Sequence, residues 1–203
     1  MQEAINHLCK KDKIFSQIIK LHGIPAIPCR PEGFETLALI ILEQQVSIDS
    51  AKATYLKLKN KVKSFTPKNL ISLTDEMYRE AGVSRQKTSY IKVLAKAILD
   101  KEIDLKNLKN KDALQVRAEL IKLKGIGNWT IDVYLMFCLQ ASDILPLGDI
   151  AIVNTIKELF QLDNKTDMEI YTSKWKPYRS FATFLLWHFY LEKRNRKVAY
   201  IFE

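Results

Sequence analysis

Apolar residues in this chain recur at intervals of three and four. Phe34, Leu37, Ala38, Ile41 and Leu42 form one stripe, and Tyr90, Val93, Leu94, Ala97 and Ile98 form another. Residues spaced this way share a face only in an α-helix, so each stripe predicts a helix with one buried side. The same reading predicts helices over 2–9, 12–21, 34–44, 48–63, 74–80, 86–100, 111–122, 128–140, 149–160, 167–175 and 179–192. Ser47 and Ser84 stand where capping side chains belong, and Thr74 opens a further helix. Pro25, Pro28 and Pro31 mark the loop between the second and third helices. No segment alternates with period two for long enough to predict a strand. The expected fold class is all-α, two helical lobes with a groove between them. Lobe one spans about 34–147, including a hairpin over 111–140, and lobe two combines 1–33 with 148–203.

Charge adds a partner class to this picture. Thirty-two Lys and Arg against 23 Asp and Glu leave a net charge of +9. Such a balance favours a polyanion, although solubility alone also accounts for a Lys-rich surface. The run from Lys57 to Lys63 reads as a solvated helix face, with a DNA-flanking role as the alternative. No apolar run approaches the ~18 residues of a membrane span. The N-terminus lacks the charged-then-apolar layout of a secretory signal, so the expected location is cytoplasmic and nucleoid-associated. Cys9, Cys29 and Cys138 are too few and too scattered for a disulfide framework, a zinc site or a four-cysteine cluster. His7, His22 and His188 are equally dispersed, so neither a metal site nor an organic cofactor is expected.

One segment carries candidate chemistry. Ala113, Val116, Leu120 and Leu123 give a helix its buried stripe, and Leu123-Lys124-Gly125-Ile126-Gly127-Asn128-Trp129-Thr130 follows from its last residue. Gly125 can end that helix, while Gly127 or Asn128 starts the next. The N–H groups at a helix start carry partial positive charge, and glycines let them approach a phosphate closely. An ordinary helix–helix turn favours glycine too. Asp149, in Pro146-Leu147-Gly148-Asp149, lies 19 residues after Thr130. It is placed either to cap a helix over Ile150-Ala151-Ile152-Val153 or to act on DNA held nearby, and the two roles are compatible.

The octapeptide resembles the hairpin of the helix-hairpin-helix glycosylases, the endonuclease III superfamily, and Asp149 falls where that superfamily places its catalytic aspartate. Three further segments resemble the 3-methyladenine DNA glycosylase II family: Leu42-Glu43-Gln44-Gln45-Val46-Ser47, Ser84-Arg85-Gln86-Lys87, and Trp175-Lys176-Pro177-Tyr178-Arg179-Ser180 with Trp187 beyond it. They run in the family's order over about residues 34–192. Only 33 residues precede Phe34, which implies a compact form without the N-terminal β-rich lobe of many bacterial members. The wedge position, often leucine, holds Gln45.

The resemblance implies a glycosylase that flips a damaged nucleotide out of double-stranded DNA and hydrolyses its N-glycosidic bond in base-excision repair. It implies no lyase activity, because bifunctional members carry a lysine two residues after the second hairpin glycine, where this chain has Trp129. Asp149 would stabilise the sugar's oxocarbenium character or align water. Cationic alkylated purines such as 3-methyladenine and 7-methylguanine need an electron-rich wall. Trp129 and Trp187 resemble the family's pocket residues, with Tyr134 as a third, whereas Trp175 reads as core. Gly125, Ile126 and Gly127, with Gln44, Gln45, Ser47, Arg85 and Lys87, are the expected DNA contacts. Among rival carboxylates, Asp132 reads as a structural hydrogen-bonding group, Asp143 as a turn residue and Glu43 as the most credible competitor. The alternatives are a glycosylase for deaminated or mismatched bases and a non-catalytic helix-hairpin-helix DNA-binding protein. A monomer is expected.

Overall fold

The computed structural model describes residues 1–196, and among them regular structure is entirely helical. No helix among the described residues is long and apolar enough to cross a membrane. The chain forms two compact units, one built on Cys29–Leu139 and one joining Met1–Pro28 to the chain from Gln140 onward.

The Cys29–Leu139 unit contains α3 (Phe34–Glu43), α4 (Ile48–Lys59), α5 (Pro67–Ile71), α6 (Asp75–Glu80), α7 (Arg85–Leu99), α8 (Ala113–Leu120) and α9 (Asn128–Phe137). Ser47, Thr74 and Ser84 cap α4, α6 and α7 through their hydroxyls, as their positions suggested. α8 opens with a reciprocal capping box between Asp112 and Gln115. The periodic stripe gave α3 one buried face, yet nearly every residue from Phe34 to Glu43 is buried. α3 packs against α4, α7 and α9 together, and a helix covered on several sides is apolar all round. Two elements were not predicted: α5, begun by Thr66 and Pro67, and a 3-10 turn over Leu105–Asn110. At five and six residues, they are too short for apolar periodicity to register.

The other unit brings together the two ends of the described chain: α1 (Gln2–Lys11) and α2 (Lys13–His22), then α10 (Ile150–Phe160), α11 (Lys165–Thr172) and α12 (Arg179–Glu192). Its core includes Leu8, Phe15, Ile18, Ile152, Ile156, Trp175 and Leu185. Asp12, at the break between α1 and α2, accepts from the Tyr171 hydroxyl at 3.0 Å and the Trp175 indole at 2.8 Å, and pairs with Lys174 at 3.0 Å. That carboxylate stitches residues separated by some 160 positions, and it fixes Trp175 as a core residue.

Candidate active site and nucleic-acid interface

The hairpin between α8 and α9 uses its two glycines differently. Gly125 has φ 93, a conformation that L side chains rarely adopt, and a Cβ there would sit 2.1 Å from Cγ of Tyr90. Its glycine is therefore demanded from within, by the Tyr90 ring of α7 stacked on the turn. Gly127 has φ −99 and ψ 179, ordinary extended backbone, and a Cβ there would meet nothing within 4 Å. Gly127 is the N-cap of α9 without a side-chain cap bond, so the helix start is presented to an incoming group. Arg117 of α8 braces this start by donating to the Asn128 side chain at 2.9 Å and by pairing with Asp132. Burial pushes the Asp132 carboxyl above its usual value and Arg117 opposes the shift, in keeping with a structural group.

Three of the expected DNA contacts and one expected pocket residue instead point into the protein. Ile126 is 3% exposed and its N–H donates to the Leu123 carbonyl at 3.0 Å, so it anchors the hairpin rather than facing a phosphate. The Gln44 amide donates to the Gly125 carbonyl at 2.8 Å and to Thr130 Oγ1 at 3.0 Å, tying the end of α3 to the turn of the hairpin and to α9. Lys87 Nζ donates to the Leu42 carbonyl at 2.8 Å, and burial lowers its pKa from the ordinary lysine value. Tyr134, expected in the base pocket, has no exposed surface, and its hydroxyl accepts from Gly33 N–H at 3.1 Å. Each satisfies a backbone or side-chain group inside the unit.

The remaining positions stay outward. Gln45 is exposed with φ 57, a left-handed conformation set between the end of α3 and the Ser47 cap. Ser47 and Arg85 are exposed at the starts of α4 and α7. Trp129 is half-buried in the first turn of α9. Glu43, the rival carboxylate, is engaged elsewhere: both oxygens accept from Arg30 at 2.9 Å, deep in the unit. The Arg30 guanidinium also lies 5.0 Å from the Phe137 ring centroid. A buried charge held this way is a structural ion pair.

In the other unit, Asp149 is the N-cap of α10 and is half-buried. Its Oδ1 accepts from Ala151 N–H at 2.9 Å, Ile152 N–H at 3.1 Å and the Trp187 indole N–H at 3.3 Å. Trp187 is also half-buried, with its ring tilted 5.9 Å from that of Phe184. The segment leading to Asp149 is held by successive turns of α12. Arg179 grips Asp143 with two bonds of 2.7 and 2.8 Å. Ser180 bonds Ala141, Ser142 and Ile144, and Thr183 donates to the Ile144 carbonyl. Burial alone would raise the Asp143 pKa, but the Arg179 hydrogen bond and charge bring it below the usual carboxylate value. Asp143 is thus an ion-pair partner, not merely a turn residue. The pattern Arg179, Ser180, Thr183, Trp187 on one face of α12 was the signal available for this clamp. Among the described residues no group of three or more His, Cys, Asp or Glu side chains could hold a metal ion.

The chain is 30% identical to the alkylbase DNA glycosidase-like protein mag2 of Schizosaccharomyces pombe, over 97% of this chain and 96% of that one. Its structure is similar to that of a Bacillus halodurans DNA-3-methyladenine glycosidase, with TM-score 0.80, 29% identity, and coverage of 95% and 91% of the two chains. It is also similar to the S. pombe 3-methyladenine DNA glycosylase Mag1 in complex with abasic DNA, with TM-score 0.83, 26% identity, and coverage of 91% and 95%. Residues 38–180, most of the chain, match the HhH-GPD superfamily of base excision DNA repair proteins, and the chain belongs to that superfamily.

Proposed function

We propose that this protein is a monofunctional DNA glycosylase that excises alkylated purines from double-stranded DNA. The observation that carries the reading is the Asp149 carboxylate, half-buried and oriented through Oδ1 at the start of α10. The two amide bonds would serve any helix cap; the hairpin and the superfamily match beside this carboxylate are what favour catalysis over a pure DNA-binding module. The relatives named for 3-methyladenine and alkylbase substrates support the same substrate class.

In the proposed reaction the hairpin, through the open start of α9 at Gly127, grips a backbone phosphate and Gln45 enters the space left by the extruded nucleotide. The base is already cationic, so no proton need be delivered to it. As the C1′–N bond lengthens, positive charge grows on the sugar and the Asp149 carboxylate stabilises it; water then adds to C1′ and gives up a proton, leaving an abasic site. Trp187 supplies an aromatic face for a cationic base. Trp129 occupies the position of the Schiff-base lysine of bifunctional enzymes, so strand cleavage is not part of the reaction.

The test is single-turnover incubation with duplexes carrying 3-methyladenine, 7-methylguanine, ethenoadenine, hypoxanthine or uracil. Release of the methylated purines, abolished in Asp149→Asn while duplex binding persists, is the expected result. Asparagine still caps a helix, so loss of excision isolates the charge. Near-normal excision by this variant would sink the reading.

A further inference from the structure

We propose that Trp187 is a positioning residue for the Asp149 carboxylate. This rests on the catalytic reading of Asp149. The indole N–H reaches Asp149 Oδ1 at 3.3 Å, joining the Ala151 and Ile152 amides on the same oxygen. Two of these donors belong to α10 itself and fix the carboxylate only relative to its own helix. The indole donor comes from a different element, α12, and α10 and α12 pack directly against each other.

Trp187 is also the last rung of the α12 clamp. Arg179, Ser180 and Thr183 hold residues 141–144 of the loop, and Trp187, one turn beyond Thr183, holds its final residue. The core residues Leu185 and Leu186, both at 0% exposure, fix this turn of α12. The backbone that carries the indole is therefore held in place, and the indole itself packs against the same core. One side chain joins two tasks: its ring supplies the aromatic face and its N–H sets the carboxylate's direction. A base that displaced the indole would also disturb the acid, so the site couples recognition to chemistry.

Trp187→Phe separates the tasks, because it keeps an aromatic ring and removes the donor along with the five-membered half of the indole. The probes are lesion duplex under single-turnover conditions and two abasic analogues, one with a neutral tetrahydrofuran ring and one with a protonated pyrrolidine ring. The second carries the positive charge that a well-placed carboxylate prefers. Relative to the native protein, Trp187→Phe is expected to lose about tenfold in maximal excision rate, the scale of one hydrogen bond to a charged group. Its lesion-duplex KM should be little changed, and its preference for the pyrrolidine over the tetrahydrofuran analogue should fall by a similar factor. Trp187→Ala is expected to raise KM as well.

If Trp187→Phe raises KM at an unchanged maximal rate, Trp187 is a wall of the pocket only and the proposal is overturned. A variant with native rate and native analogue preference overturns it too. Asp149→Asn is the control: if that variant retains the pyrrolidine preference, the catalytic reading fails rather than the positioning role. Melting temperatures of all variants separate these effects from unfolding.

Discussion

The two hairpin glycines offer a direct test of what the turn is for. At Gly125, a Cβ would fall 2.1 to 2.5 Å from three ring atoms of Tyr90, and the backbone sits at φ 93. Gly125→Ala must bear about 1–2 kcal/mol for the left-handed conformation and about 1–3 kcal/mol for forcing the ring aside. Together these give roughly 2–5 kcal/mol of destabilisation, or a melting temperature lower by about 10 °C for a chain of this size. Gly127→Ala meets no neighbour and needs no unusual φ. Its cost to folding is that of a poorer N-cap, about 0.5–1 kcal/mol. Its added methyl group instead stands where a phosphate would approach the start of α9. Losing one charge-assisted contact is worth about 1.5–3 kcal/mol, or ten- to hundredfold in affinity. The assays are thermal unfolding of both variants and equilibrium binding to matched damaged and undamaged duplexes at one fixed salt concentration. Gly127→Ala should weaken binding to both duplexes alike, since a phosphate contact carries no lesion information. Native affinity in Gly127→Ala would refute the phosphate argument, and a native melting temperature in Gly125→Ala would refute the Tyr90 argument.

Other outcomes follow from the ion pairs and from Trp129. Glu43→Gln should lower stability by about 3–5 kcal/mol by leaving Arg30 buried without its countercharge, while excision per folded molecule stays near native; a collapse of excision in folded protein would restore Glu43 as a catalytic candidate. Borohydride should trap no covalent adduct with lesion duplex during base release; a stoichiometric adduct would show that an amine such as Lys124 attacks C1′. For Asp143, whose folded pKa is lowered, the Arg179 pair contributes stability above the unfolded carboxylate value and loses it as pH falls through the folded one. Arg179→Met should therefore be less stable than the native chain at neutral pH, and their pH–stability curves should converge in acid; a constant gap across the titration would rule out the Asp143 linkage.

The sequence by itself determined most of the helices and several of their caps. Apolar spacing of three and four marked most helices, since helical periodicity is local and survives without tertiary context. Ser47, Thr74, Ser84 and Asp149 were legible as caps for the same reason: a cap bonds to an amide two or three residues ahead. What only the tertiary structure decided is where each polar side chain spends its hydrogen bonds. Gln44, Lys87 and Tyr134 looked like groups for a ligand, yet each meets a partner 45 to 101 residues away inside its own unit. Glu43 adjoins the turn that suggested chemistry, but Arg30 takes both of its oxygens. Two glycines written alike in Gly-Ile-Gly differ because Tyr90 lies against one and nothing lies against the other. Sequence spacing fixes which residues share a face, whereas the partner across that face is chosen by packing between segments far apart in the chain, and it is this pairing that turns α12 into the clamp behind Asp149.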